Sequence, residues 1–422
     1  MIDRYAYEPV RVIFSDYYKL ALWAQIEVDY LHARREVGDP LITAELISEV
    51  RETPTPTPDL VKGYENQYGH DVVGFLAAWT RNMSRAAQSQ VHLGLTSSDL
   101  VETTLYEQLT SAQAIIGYQL QRLESTLLRR VKVDGDLVRI GRTHGQVAEP
   151  TTLGWRFQAW SDTVSDLYFA GTALGPRLRI MKTPGAVGDM RLLGEDVADA
   201  VATSRRLRLR RSTQVLPRQP LLAWAAWMVQ VVTLVEEVAL EIRLASRSEV
   251  GEMMEGAAYR RAGSSAMPHK RIPVGSEQLS GLGRVARGYF AALAETAGAL
   301  HNERDISNSS VERTVVPDLA ELTAYMVDSL SQILANLKTN QKRMAQNAQV
   351  ANKDSALVQY GLQRLGVPYL QARIEAGHWA DVGGWEQGRI LEVVNHDREE
   401  GAPYMGFTEF REAMEQAPWR PS

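Results

Sequence analysis

The chain has 422 residues, 45% of them hydrophobic, with a formal net charge of −5 and no cysteine. This is enough apolar material for a large core shared among two or three domains. The acidic balance argues against nucleic acid as a partner, since that binding rests on neutralising phosphates, and the missing thiols exclude disulfides, thiolate metal sites and a cysteine nucleophile. The N-terminus, Met1-Ile2-Asp3-Arg4-Tyr5, lacks the basic start and apolar run of a signal peptide. No stretch reads as long and uncharged enough to span a bilayer, so the expectation is a cytoplasmic protein with no membrane partner.

Residues 10 to 37 carry Ile13, Tyr17, Leu20, Ala21, Ala24, Val28 and Leu31 at helical spacing, and Gly38 before Asp39-Pro40 ends that helix. A short helix is expected over 41 to 51. The alternating prolines of Thr53-Pro54-Thr55-Pro56-Thr57-Pro58 then predict an extended link. Helical pattern resumes from Asp71 to Trp79, with His70 at its entrance, and a first domain closes near residue 92.

From Val91 to Thr103 a polar stretch feeds a long amphipathic run through Leu105, Leu109, Ala112, Ile116, Leu120, Leu123 and Leu127. Ser and Asp at its start suit an N-cap, where free N–H groups can also receive an anion. A short strand pair around 135 to 150 is the main β signal, and a long helix follows to about Met181. The glycine-rich Thr183-Pro184-Gly185-Ala186-Val187-Gly188-Asp189 breaks it, and another polar loop runs from Ser212 to Arg218. From Leu221 to Leu244 apolar residues cover much of the circumference, which demands burial on most sides. A run from Ser276 to Glu303 would extend about 42 Å at 1.5 Å per residue. Helices this long have more apolar side than one bundle hides, so self-association is expected. The domains read as 1–92 (N-terminal, helical), 93–342 (central long-helix bundle) and 343–422 (C-terminal, helical, with breakers at Gly366-Val367-Pro368 and Gly383-Gly384).

Three polar loops interrupt these helices: Thr96-Ser97-Ser98-Asp99, Gly141-Arg142-Thr143-His144-Gly145-Gln146, and Gly263-Ser264-Ser265-Ala266-Met267-Pro268-His269-Lys270-Arg271. Hydroxyls beside cations suit a grip on carboxylate or phosphate, or activation of a serine oxygen. Any one of them alone would read as a solvated linker. In this order they resemble the three signature regions of the fumarase/aspartase superfamily, and the Met-Pro-His-Lys-Arg form points within it to the adenylosuccinate lyases. The resemblance runs from Arg4-Tyr5 to about residue 342.

The resemblance implies an all-α, three-domain fold around a central long-helix bundle, and a homotetramer whose active sites are shared between subunits. It implies a β-elimination that breaks the C–N bond of adenylosuccinate to give AMP and fumarate, with parallel cleavage of succinyl-aminoimidazole carboxamide ribotide, and no metal or organic cofactor. By resemblance Ser264 is the base, ionised by Lys270 and loop N–H groups, and His144 the acid. His70 orients that acid and Glu277 pairs with it. Asp71, Thr96, Ser97 and Gln214 contact the substrate, and Arg4, Tyr5, Arg304, Ser309 and Arg313 form the nucleotide-holding set. His92, His269 and His301 are read as structural. Four positions depart from the family pattern: Gly69, Val147, Ile272 and Asn308 stand where Arg, His, Asn and His are usual. They leave open the same elimination on a succinyl adduct of a different or modified purine nucleotide, and, further off, a non-catalytic structural homologue.

Overall fold

The computed structural model describes residues 1–256, 266–267, 269–349, 355–364 and 366–382. After a 3-10 turn at Asp3–Tyr5 come α1 (Glu8–Ile13), α2 (Asp16–Glu36), α3 (Ala44–Glu52), α4 (Pro58–Tyr68), α5 (Asp71–Thr80) and α6 (Arg85–Gln90). The helix α7 (Ser97–Asp134) leads to the hairpin β1 (Val138–Thr143) and β2 (Gln146–Thr152), then to α8 (Leu153–Leu178), β3 (Ile180–Lys182), α9 (Glu195–Ser204), β4 (Arg208–Arg210) and α10 (Gln219–Ala245). There follow β5 (Met253–Met254), α11 (Val274–Gly298), α12 (Ser307–Ala335), β6 (Lys338–Thr339), α13 (Gln341–Ala348), α14 (Ser355–Arg364) and α15 (Tyr369–Val382). Among the described residues there are three two-stranded sheets: β1 with β2 antiparallel, β3 with β4 parallel, and β5 with β6 antiparallel.

Local chemistry explains where these elements begin and where they depart from the sequence expectations. The helix expected over 10 to 37 is two helices, because the Ser15 hydroxyl accepts the Tyr18 N–H at 3.3 Å and starts α2 afresh. The proline run is extended only as far as Thr57. There the Thr57 hydroxyl caps α4 and Pro58 takes the first helical position, where its missing N–H costs nothing. α11 stops at Gly298 rather than Glu303, and the Asp305 carboxylate accepts the Ser307 N–H at 2.6 Å to open α12. The expectation that no stretch could span a bilayer also needs correction. By length and composition α10 could, but many of its apolar side chains, among them Leu221, Trp224, Met228, Val231, Val235 and Ile242, are buried within the protein. The breakers at Gly383-Gly384 lie outside the described residues.

Contacts group the chain into two compact units: 1–122 with 164–235 and 281–329, and 123–163 with 236–280 and 330–422. In the first, α2 packs on α3, α4 and α9 around Trp23, Ile26, Leu31, Ile47, Phe75 and Trp79, and the Trp23 and Phe75 rings meet edge-on at 5.5 Å. Its long helices are cross-tied by polar side chains that reach neighbouring carbonyls: Gln119 donates to Ala324 O at 3.0 Å and Trp227 Nε1 to Leu167 O at 2.8 Å. In the second unit, Trp160 Nε1 donates to Glu237 at 3.2 Å, the Thr126 and Ser331 hydroxyls meet at 3.3 Å, and α13 packs against β1.

The most heavily bonded buried group of the first unit is Arg218, just before α10. Its guanidinium donates to both Glu102 oxygens at 2.5 and 2.7 Å and to both Glu312 oxygens at 2.7 and 3.1 Å, joining α7 to α12. It also donates to Leu216 O at 2.9 Å, and Glu102 accepts the Leu216 N–H at 2.9 Å. Burial opposes the charge on Arg218, but the two carboxylates outweigh it and hold the guanidinium firmly protonated. Burial also raises the Glu312 carboxyl, against the pull of Arg218.

Two predictions follow from these contacts. Arg218→Ala strands two carboxylates in the interior and should destabilise the protein by about 3–5 kcal/mol, read by urea unfolding. A loss under about 1 kcal/mol would show that water reaches the pair. Ahead of α7, the Glu27 carboxylate accepts the His92 N–H at 2.8 Å and lies 2.5 Å from His92 Nδ1. Burial disfavours the imidazolium, yet the bond to Glu27 and its charge prevail, and the His92 pKa is raised. A raised histidine pKa gives stability that is complete below the unfolded value of about 6.5 and is lost as pH rises through the folded value. Unfolding free energy should therefore fall across that window in the wild type and lose this component in Glu27→Gln.

Candidate active site

The first signature region sits where the polypeptide enters α7. Asp99, in the first turn, turns its carboxylate back to accept the Thr96 N–H at 2.8 Å, while the Asp99 N–H bonds Thr96 O at 2.8 Å. This capping arrangement fixes the turn, and Thr96 and Ser97 stay half-buried at the positive end of a 38-residue helix dipole. Asp99 is committed to structure: its side chain is fully buried and ion-paired with Lys182.

Ser98 leads to the second group. Arg304 Nη1 donates to Ser98 Oγ at 2.7 Å and to Gln214 Oε1 at 3.4 Å, so two predicted substrate residues meet at the start of α7. The Arg304 Nε–H is buried with no acceptor among the described residues. A third group forms on α12 and α5. Arg313 Nη2 bonds Asp71 Oδ2 at 2.5 Å, and Arg313 Nε donates to Ser309 Oγ at 3.0 Å. Burial would raise the Asp71 carboxyl, but Arg313 and the Val72 N–H carry it below its ordinary value. The Val72 N–H is shared between Asp71 Oδ1 at 2.8 Å and His70 Nδ1 at 3.2 Å. His70 Nδ1 also lies 3.2 Å from Asp71 Oδ1. Arg4 is exposed, and Tyr5 packs edge-on against Tyr325, further along the helix that carries Ser309 and Arg313.

The second unit holds His144, Lys270 and Glu277. His144 and Gly145 form the two-residue turn between β1 and β2, with φ of 54° and 76°. Both angles are left-handed, as a type I′ hairpin requires, and Gly145 supplies the residue that adopts this freely. The turn carries the exposed His144 ring at its tip. Behind it, Arg142 bonds the fully buried Glu252 at 2.9 Å, and Asn347 reaches the same carboxylate oxygen at 2.8 Å. Ser264 lies outside the described residues. Lys270 is exposed in a turn closed by its N–H on Met267 O at 2.9 Å, and Glu277 is exposed in the first turn of α11. That helix is capped from elsewhere in the chain: the buried Glu255 carboxylate accepts the Gly275 N–H at 3.1 Å and both the N–H and hydroxyl of Ser276 at 2.6 Å.

Two of the four departures have structural tasks. Gly69 ends α4 in the left-handed region at φ 70°, where a side chain is strained, and its N–H bonds Glu65 O at 2.7 Å. Asn308 is buried and donates to Glu312 at 3.1 Å, so it belongs to the Arg218 cluster. Val147 is exposed on the hairpin and Ile272 is half-buried before α11. His92 is held by Glu27 and the exposed His301 by Asp305 at 3.1 Å. Sequence reasoning missed Lys182, Arg218 and Glu255. Each lies outside the signature strings, and only its partners across the fold reveal it.

The family model described as Lyase matches residues 63–288. Curated relatives include the adenylosuccinate lyases of Streptococcus mutans (35% identical, covering 82% of this chain and 80% of the relative) and Synechocystis (33%, covering 83% and 80%). Another is the adenylosuccinate lyase of Archaeoglobus fulgidus, 30% identical over 82% of this chain and 78% of the relative. Among solved structures, a fumarate lyase from Mesorhizobium superposes with a TM-score of 0.80 at 18% identity, covering 98% of this chain and 95% of that one. A 3-carboxy-cis,cis-muconate lactonizing enzyme from Pseudomonas putida gives 0.78 at 24% identity, covering 89% and 84%. At those identities the structures speak for the fold, and they bear out the all-α fumarase-type expectation.

Proposed function

The chain belongs to the adenylosuccinate lyase family and is a fumarate-releasing C–N lyase, and we propose that its substrate is adenylosuccinate, cleaved to AMP and fumarate. The observation that carries this reading is Arg304. One of its nitrogens holds Ser98 and Gln214 at the mouth of α7, and its Nε–H remains buried without an acceptor among the described residues. A half-buried guanidinium with a buried, open Nε–H donor, beside hydroxyls and free helix N–H groups, suits a carboxylate or phosphate oxygen. The Arg313–Ser309 pair supplies a second cation and hydroxyl for the nucleotide end.

In the proposed elimination Ser264, ionised near Lys270, takes the proton from the carbon next to one carboxylate of the succinyl group. The electron pair moves into that carboxylate, where cations and N–H groups stabilise the charge. As the C–N bond breaks, His144 protonates the departing nitrogen of the purine, and fumarate and AMP leave. His70 orients that imidazole and Glu277 pairs with it. The same groups would cleave succinyl-aminoimidazole carboxamide ribotide. Because Gly69 and Asn308 are tied to structural tasks, two of the four grounds for a different nucleotide lose their force.

The active form is proposed to be a cytoplasmic homotetramer with sites shared between subunits. Support comes from the exposed hairpin tip bearing His144 and from large apolar side chains exposed on the long helices, such as Tyr118, Trp155, Phe169 and Leu240.

Purified protein should release fumarate from adenylosuccinate. Ser264→Ala and His144→Ala should each lower kcat by about 100- to 10,000-fold with the circular dichroism of the wild type. Mixing the two inactive variants after subunit exchange should restore part of the activity. Turnover within a few fold of wild type in either variant defeats the acid–base assignment. No recovery on mixing defeats the shared sites, and an active wild type that spares adenylosuccinate defeats the substrate.

A further inference from the structure

The ion pair between Lys182 and Asp99 has no part in the elimination just described. Both side chains are wholly buried, and taking two charges out of solvent is costly. Such a pair is a poor device for stability, which directs attention to what it joins. Asp99 stands in the first turn of α7, and Lys182 closes β3 at the edge of the glycine-rich loop Thr183–Gly188. The Lys182 ammonium bonds Asp99 Oδ1 and also donates to Gly185 O at 3.2 Å. Asp99 Oδ2 accepts the Gly185 N–H at 3.2 Å together with the Thr96 N–H at 2.8 Å. The loop and the helix entrance are therefore tied by two bonds to the Asp99 carboxylate, from Lys182 and from Gly185, and each side is braced by one further bond, Lys182 to Gly185 O and Thr96 N–H to Asp99.

The far side of the same loop is fastened as closely. Thr183 N–H donates to Arg210 O at 3.1 Å, and Thr183 Oγ1 accepts the Ser212 N–H at 3.2 Å. Gly188, at φ 72°, lies so near the next strand of chain that a Cβ there would come within 2.4 Å of Ser212 O and Thr213 O. One residue on is Gln214, which meets Arg304, which meets Ser98. The contacts thus close into a ring: Asp99, Gly185, Thr183, Ser212, Gln214, Arg304, Ser98 and back to α7.

We propose that Lys182 is a positioning residue for the dicarboxylate end of the substrate: through Asp99 it locks the glycine-rich loop to the entrance of α7 and sets where Thr96, Ser97 and Gln214 stand. This rests on the reading of Thr96 and Ser97 as the carboxylate grip. Asp99 takes the Thr96 N–H out of use, and the N–H groups of Ser97 and Ser98, which have no acceptor within the helix, are left to a ligand. Lys182 itself touches no substrate. Its charge is spent on Asp99, and its effect passes through the backbone it fixes.

The test uses fumarate, the product that every reading of the nucleotide shares. Lys182→Met keeps most of the length of the side chain and removes its charge, leaving Asp99 buried without its cation. Lys182→Met/Asp99→Asn removes both charges while keeping an acceptor for the Thr96 N–H. The double variant should recover thermal stability relative to the single one, yet bind fumarate at least tenfold more weakly than wild type by calorimetric titration. With adenylosuccinate, KM should rise by a similar factor and kcat should fall less. If the single variant does not fold, the double variant decides. A double variant with wild-type fumarate affinity, whatever its stability, overturns the proposal and leaves the pair a packing feature. A wild type without measurable fumarate affinity overturns it as well. A wild type that binds fumarate but spares adenylosuccinate overturns only the substrate assignment and leaves this test standing.

Discussion

A guanidinium held between two buried carboxylates governs the first unit. Arg218 contacts Glu102 on α7 and Glu312 on α12 through four hydrogen bonds, and the turn that carries it is pinned by Leu216. Each neighbouring segment bears candidate substrate groups: Thr96 and Ser97 a turn or more before Glu102, Gln214 four residues before Arg218, Ser309 and Arg313 either side of Glu312. A planar fork satisfied on both edges tolerates little rotation. The distances among those groups are therefore set by an ion cluster that meets no ligand. Asn308 joins the same cluster, which explains why a polar residue is kept at a buried position.

Around that anchor the candidate groups fall into two kinds. Those of the first unit are already engaged with one another, Arg304 with Ser98 and Gln214, Arg313 with Asp71 and Ser309, so their geometry is organised before any ligand arrives. Those of the second unit, His144, Lys270 and Glu277, are exposed on a hairpin tip, a turn and a helix start. The supports behind them are nonetheless rigid: a left-handed two-residue turn with Arg142 clamped to Glu252, and a helix start capped by Glu255. Exposed groups on well-bonded backbone are placed to meet a substrate with little reorganisation of the chain that carries them.

Much of this was legible in the residues. Long apolar runs marked the helices, and their ends lay close to capping side chains and glycines that could be read directly, as at Gly38 and Asp71. The hairpin around His144 was visible as a short strand pair around 135 to 150, while the residues of its turn were read as part of a polar loop. Local rules misread places where two local signals compete: Ser15 restarts a helix inside one apolar run, and Pro58 opens a helix within a proline tract. They also misjudged α10, whose composition is that of a bilayer span and whose surroundings are a protein core.

By itself the sequence determined the helical class, the family and the identity of the polar loops, since these depend on periodicity and on strings of adjacent residues. What only the tertiary structure decided is which buried charges meet. Lys182 and Asp99 are 83 positions apart, Arg218 and Glu102 are 116 apart, and nothing in either neighbourhood names the other. An isolated Lys or Arg in a sequence is ordinarily a solvated surface residue. It becomes a positioning device only when folding removes its water and leaves one carboxylate to replace it.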